Sequence, residues 1–243
     1  MMNLKGKSAL VTGAAKRLGR AIALAFGQAG CNVVVHHGHS PKEAAEVAAQ
    51  IRAAGVDAWD IQADLADPAA IDRLFTQAGK VARRLDILVN NAGVYERTPL
   101  ETLTADQWDA MMILNARAPA LCIRHAVPLM TSGGAIINIT DIAAEKAFAG
   151  YPAYCASKAA LIALTKSAAK SLAGIGIRVN SVAPGVAMWQ DGVDEDLRRR
   201  VLEQIPLHRE GTPEGIAEAV LFLASHDYIT GQNLRVDGGW HMG

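Results

Sequence analysis

The stretch Ser8-Ala9-Leu10-Val11-Thr12-Gly13-Ala14-Ala15-Lys16-Arg17-Leu18-Gly19 decides the fold. A short apolar run ends at a glycine, the signature of a strand entering a turn. From Arg17 to Ala29 the apolar residues Leu18, Ala21, Ile22, Ala25 and Phe26 recur at helical spacing, and Gly30 stops the helix. Gly13 reaches backbone angles closed to other residues, so the chain can turn sharply there. Gly19 lets a phosphate or the sheet approach the helix, and the free amides at the helix N-terminus attract an anion. An ordinary strand–turn–helix connection reads the same way, and only the rest of the chain separates the two.

Outward from this unit the alternation continues. Strands are predicted at 32–36, 56–62, 86–89, 135–139, 177–182 and 233–236. Helices are predicted at 41–54, 68–83, 104–129 (with a change of direction near Pro119), 152–172 and 213–225. The segment 186–210 shows no regular pattern. Seven strands joined by six helices predict one doubly wound α/β domain over 1–243, a seven-stranded parallel sheet with helices on both faces. Ligands of such a sheet bind beyond the carboxyl ends of the strands.

Composition agrees. Of 243 residues 51% are hydrophobic, but Trp, Tyr and Phe number four each, so the apolar content is mostly aliphatic, as in a buried parallel sheet. Lys+Arg and Asp+Glu both number 24, and this balance argues against a general nucleic-acid binder. No apolar run approaches a membrane span, and the first residues lack the apolar core of a signal peptide. Cys31, Cys122 and Cys155 are odd in number and far apart, which fits a reduced, cytoplasmic setting. The run His36-His37-Gly38-His39 lacks a carboxylate or cysteine at ligand spacing, so no metal is expected.

Chemistry-bearing residues follow the strands. Asp64-Leu65 follows the third, Asn90-Asn91-Ala92-Gly93 the fourth, Asp141 the fifth and Pro184-Gly185 the sixth. Tyr154 and Lys158 are four apart on a predicted helix and share a face. A nearby ammonium favours the phenolate, which predicts a lowered Tyr154 pKa and proton transfer near neutral pH. Asn115 falls inside the long helix.

Thr12-Gly13-Ala14-Ala15-Lys16-Arg17-Leu18-Gly19 resembles the Thr-Gly-x-x-x-Gly-x-Gly loop of the short-chain dehydrogenase/reductase family, with Arg17 at the middle glycine. That wording, with Tyr95 after Asn-Asn-Ala-Gly and Asp141 where most members carry serine, is similar to the pteridine reductase and dihydromonapterin reductase branch. The resemblance implies NADPH/NADP as cofactor. Gly13, Lys16, Arg17, Leu18, Gly19, His37, His39, Ser40, Asp64, Leu65, Asn91, Ala92, Gly93, Tyr154, Lys158, Pro184 and Gly185 would line its site. No acid stands at the end of the second strand, where an NAD-binding chain would place one. Lys16, Arg17, His39 and Ser40 would instead surround a 2′-phosphate, and Arg17 would lie across the adenine or pair with phosphate.

Asp141, Tyr154, Lys158 and Asn115 are the expected catalytic set. Tyr95, Asp141, Phe148, Tyr151, Tyr154, Met188 and Trp189 are the expected walls for a flat, pterin-like small molecule, with residues 186–210 as its lid. Thr140 is one residue out of place to stand in for the family serine. The expected reaction is reduction of a pterin-type ring, with Tyr154 and Asp141 handling protons. The alternatives are a ketone or 3-oxoacyl reductase and a non-catalytic NADP-binding sensor. The family also implies a homotetramer, with neither nucleic acid nor membrane as partner.

Overall fold

The computed structural model describes residues 3–189 and 192–242, without the side chain of Thr131. Seven strands form one parallel sheet: β1 (Ser8–Val11), β2 (Asn32–His37), β3 (Ala58–Gln62), β4 (Leu85–Asn90), β5 (Met130–Ile139), β6 (Arg178–Pro184) and β7 (Asn233–Val236). Their order is β3-β2-β1-β4-β5-β6-β7. Every pairing is parallel. The order reverses at β1, which lies between β2 and β4, and opens the crevice where such sheets take ligands.

Helices α1 (Arg17–Gln28), α2 (Pro41–Ala53) and α3 (Pro68–Ala82) follow the first three strands. α4 (Ala105–Met112) and α5 (Ala118–Ala126) precede β5, α6 (Ala143–Lys146) and α7 (Pro152–Leu172) follow it, and α8 (Glu195–Gln204) and α9 (Pro213–Ser225) precede β7. Alternate residues of β1 enter two different cores. Ala9 and Val11 pack with Ile22, Phe26 and Val220 on one face. Leu10 packs with Ile71, Leu74 and Cys122 on the other. A sheet buried on both faces needs apolar residues at every strand position, which is why its strands read as unbroken apolar runs.

The helix expected over 104–129, with a change of direction near Pro119, is divided just before that proline. α4 ends at Met112, a π-helical turn spans Ile113–Arg117, and α5 begins at Ala118, whose amide bonds back to the Ile113 carbonyl. Pro119 has no N–H for the carbonyl of Asn115 four residues earlier, so the register slips before the proline. Within the segment 186–210, of which residues 190 and 191 lie outside the described residues, Glu195–Gln204 form α8. Asp194 caps α8 by accepting from the Leu197 amide, and the Arg198–Glu195 and Arg199–Asp196 pairs line it. Val201 and Leu202 pack it against Ile205 and Trp240, but with Leu197 they are the only apolar residues of α8, a stripe too short to stand out among its charges. β6 runs through Pro184, which pairs with Val236, so Pro184 ends the strand rather than following it. No helix among the described residues is long and apolar enough to cross a membrane.

Candidate active site and nucleotide crevice

The crevice begins with the glycine turn. Gly13 has φ +63°, and a Cβ there would meet the Ala92 Cα at 3.0 Å. A Cβ on Gly19 would lie 2.1 Å from the Gly13 carbonyl oxygen and 2.5 Å from the Asn91 amide nitrogen. Thr12 and Asn91 tie this turn to the end of β4. The Thr12 Oγ1 accepts from the amides of Asn91 and Ala92, at 2.9 and 3.0 Å. The Asn91 Nδ2 donates to the carbonyls of Thr12 and Gly13, at 2.9 and 3.1 Å. The Asn91 side chain therefore holds the cradle, and only its surroundings are left to hold a ligand. His36 braces the turn from β2: its Nδ1 lies 3.1 Å from the Gly13 amide and its Nε2 3.0 Å from the Ala63 carbonyl. Burial pulls its pKa down to about 4, so it is the neutral ring that accepts from Gly13.

Several expected cofactor residues are engaged differently. The Arg17 guanidinium donates to the Trp189 carbonyl at 3.3 Å, and so reaches the expected lid segment. Arg17 has φ +51°, the conformation that the family glycine tolerates at this place. Leu18 and Leu65 pack into the two cores. The Asp64 carboxylate closes a local turn onto the Ala66 amide at 2.9 Å. Ser40 precedes α2 without a side-chain capping bond, and His39 is exposed. His37 is buried, and its Nδ1 has no hydrogen-bond partner. Lys16 is paired with Glu43 Oε1 at 2.8 Å. An acid therefore does stand near the end of β2; it escaped the sequence reading because it belongs to the first turn of α2. Gly185 lies against the Asp237 Cα, 2.9 Å from where a Cβ would sit.

The reacting groups gather at the ends of β4 and β5. Tyr154 donates to Asp141 Oδ2 at 2.7 Å, and the Ala143 amide donates to Oδ1 at 2.8 Å. Lys158, 6% exposed, donates to the Ile139 carbonyl at 2.9 Å, with its Nζ 5.7 Å from the Tyr154 ring centre. The π turn points Asn115 inward. Its Oδ1 accepts from the Val94 amide at 2.9 Å, and its Nδ2 donates to the Val94 carbonyl and to Ser157 Oγ, both at 3.0 Å. Gly93 is required beside it, since a Cβ there would sit 2.6 Å from Asn115 Oδ1. Thr140 turns away, donating to the Val182 carbonyl and to Asn233, as its one-residue offset predicts.

The electrostatics overturn one expectation. Burial first, and then the Asp141 charge and the hydrogen bond to it, push the Tyr154 phenol well above its ordinary value rather than below it. Burial also raises the Asp141 carboxyl, against Tyr154, the Ala143 amide and Lys158, which all lower it. Burial pulls Lys158 down to about 8, against the Asp141 charge. The phenol keeps its proton and points it at a carboxylate that itself tends to take one up.

Tyr95 stacks on Tyr151 at 4.7 Å and meets Tyr154 edge-on, also at 4.7 Å. Phe148 packs against Trp240, with ring centres 5.3 Å apart, and belongs to the wall behind Tyr154. Trp189 does not join this cluster. It lines a groove of about 550 Å³ with Glu195, Arg198, Leu202 and Arg209, and the Arg198 guanidinium lies 5.6 Å from its ring centre. Met188 is exposed beside it.

A glycine cradle at the sheet's reversal, a buried Tyr–Lys pair and an inward Asn define a nucleotide-dependent oxidoreductase. The chain belongs to the short-chain dehydrogenase/reductase family. The family model described as enoyl-(acyl carrier protein) reductase matches residues 13–241. A 3-oxoacyl-[acyl-carrier-protein] reductase of Staphylococcus aureus is 41% identical over 242 residues, covering 97% of this chain and 98% of its own length. The enzyme of the same description from Synechocystis is 40% identical, and the match covers 100% of both chains. Among solved structures, the angucycline C-6 ketoreductase LanV with bound NADP superposes with a TM-score of 0.94 at 37% identity, over 100% of this chain and 98% of its own. A Serratia marcescens short-chain dehydrogenase/reductase variant gives 0.93 at 36% identity, over 98% of this chain and 99% of its own. The 3-oxoacyl reductases and the LanV ketoreductase are named for carbonyl substrates, in contrast to the pterin expected from Arg17, Tyr95 and Asp141.

Proposed function

We propose that this chain is an NADPH-dependent reductase of a carbonyl carbon, in a ketone or a 3-oxoacyl thioester. One observation carries the reading: a protonated, buried Tyr154 hydroxyl hydrogen-bonded to Asp141 beside the Lys158 ammonium, at the open end of the crevice. The residues present fit the nucleotide. The turn at Gly13 and Gly19 has no room for side chains, and a Cβ on Gly93 would press on Asn115 Oδ1 at 2.6 Å and come within 3.6 Å of the Lys158 Nζ. Gly13, Gly19, Ala92 and Gly93 would flank it, and Pro184 and Gly185 would cover its nicotinamide. The bound nicotinamide supplies the hydride.

The chain's own groups manage the proton. Tyr154 gives its hydroxyl proton to the carbonyl oxygen as that oxygen gains charge. Protonated Asp141 returns a proton to Tyr154 across their 2.7 Å hydrogen bond. Lys158 offsets the developing negative charge and would bind the nicotinamide ribose. Asn115 holds Val94 and Ser157, and so fixes the walls on either side. Tyr95 and Tyr151 present a flat face toward the substrate. Segment 186–210, anchored through Arg17 and Trp189, is its lid.

A second reading, reduction of a pterin-type ring, rests on Asp141. A carboxyl there can protonate a ring nitrogen, and the Tyr95 face suits a planar heterocycle. Supplying NADPH with a 3-oxoacyl thioester, a simple ketone and a dihydropterin separates the readings. NADPH oxidation with the carbonyl compounds alone is expected. Turnover confined to the dihydropterin would transfer the assignment to the second reading, and tight NADPH binding without turnover of any substrate would indicate a sensor. Self-association into a homotetramer is part of the proposal, supported by the exposed Leu100, Trp108, Phe222 and Tyr228.

A further inference from the structure

Resting on the NADPH reading above, we propose that Glu43 is a cofactor-selecting residue: its carboxylate competes with a 2′-phosphate for the Lys16 ammonium and so moderates the preference for NADPH over NADH. Lys16 ends the glycine turn immediately before α1, and Glu43 lies in the first turn of α2. Their 2.8 Å ion pair joins the two loops that bound the nucleotide crevice on the β2 side. The groups around it belong to the same end of β2. Glu43 acts on His37 as a nearby negative charge, while His37 is buried with an unpartnered Nδ1. Asp60 also acts on His37, more strongly than Glu43, and Lys42 acts on Glu43, so the polar set there is two ammoniums, two carboxylates and the imidazoles of His37 and His39.

A 2′-phosphate brought to Lys16 carries negative charge to a place where one already stands. It must displace Glu43 from the ammonium or share it. Both side chains are roughly half exposed, at 55% and 40%. An ion pair so exposed is weak and exchanges easily, so Glu43 acts as a tuner and not as a barrier. A nucleotide without the 2′-phosphate makes no claim on Lys16 and leaves the pair intact. Glu43 thus acts through Lys16, as a positioning residue remote from the reacting atoms.

The test uses the intact protein, with 2′,5′-ADP and 5′-AMP as calorimetric probes and NADPH and NADH in steady-state kinetics. Glu43→Gln is expected to tighten 2′,5′-ADP about two- to fivefold at low salt, leave 5′-AMP unchanged, and lower KM for NADPH without moving kcat. Lys16→Gln is expected to weaken 2′,5′-ADP, and in its presence the gain from Glu43→Gln shrinks. Unchanged 2′,5′-ADP binding in Glu43→Gln overturns the inference while leaving the NADPH reading in place. Weakened 5′-AMP binding also overturns it, since Glu43 would then be a direct ribose ligand. A wild-type chain that binds neither probe overturns this inference together with the nucleotide reading beneath it.

Discussion

Tyr154 and Asp141 compete for protons in a buried space, and their hydrogen bond makes the activity depend on which of them is charged. If Asp141 returns the proton in its acid form, the rate falls as pH rises through the carboxyl's raised value. Asp141→Asn keeps a donor at that place and cannot titrate. Its rate is expected to lack this descending limb and to retain only the fall as Lys158 loses its charge, moved below the wild-type value of about 8 because the Asp141 charge that raises it is gone; superimposable pH–rate profiles would rule out the role. Stability follows the same linkage. The folded carboxyl binds its proton more tightly than the unfolded one, so folding is favoured at low pH and loses that advantage as pH rises from the ordinary carboxylate range through the raised value. The Tm gain of Asp141→Asn over wild type should therefore be larger at pH 8 than at pH 4. Residue types at this site were legible in sequence: Tyr154, Lys158, Asp141 and Asn115 do converge. The sign of the Tyr154 shift was not, because spacing reveals Lys158 as a neighbour but says nothing of the burial and the Asp141 contact that outweigh it.

Elements place these groups through small features at their ends. The π turn at Ile113–Arg117 carries Asn115 to both Val94 and Ser157. Asn115→Ala leaves buried partners unsatisfied, and thermal or denaturant unfolding should show a loss of about 1–3 kcal/mol. Gly19→Ala is the complementary case. Its Cβ would lie 2.1 Å from the backbone oxygen of Gly13, so the turn must open. NADPH affinity is expected to fall at least tenfold in calorimetry while the circular dichroism of the sheet and helices is retained; unchanged affinity would remove the turn from the nucleotide site. Strands and amphipathic helices could be read from the apolar pattern, which follows burial. α8 could not, because Leu197, Val201 and Leu202 are a short apolar stripe among charges, and neither could the π turn, which a helical period conceals. Glu43 was missed for a related reason: it is near Lys16 in space only once α2 is docked.

On the scale of the whole molecule, the reversal of strand order at β1 brings the glycine turn, the Asn91 ties and the Tyr154 cluster together at the carboxyl ends of the central strands. Equal numbers of acidic and basic residues give no long-range field to attract a polyanion, so selection among substrates falls to the local groups. Sedimentation should find a particle of four chains, whereas a monomer at micromolar concentration would refute the assembly proposed here. The central claim, hydride delivery to a carbonyl carbon with Tyr154 as acid, is tested most directly by following the hydride itself. NADPH deuterated at its transferable position is incubated with a 3-oxoacyl thioester, and the product is examined by mass spectrometry and NMR. The account predicts one deuterium on the new hydroxyl-bearing carbon, and a rate about 10²–10⁴ lower in Tyr154→Phe. Deuterium absent from that carbon, or a Tyr154→Phe rate equal to wild type, would contradict it.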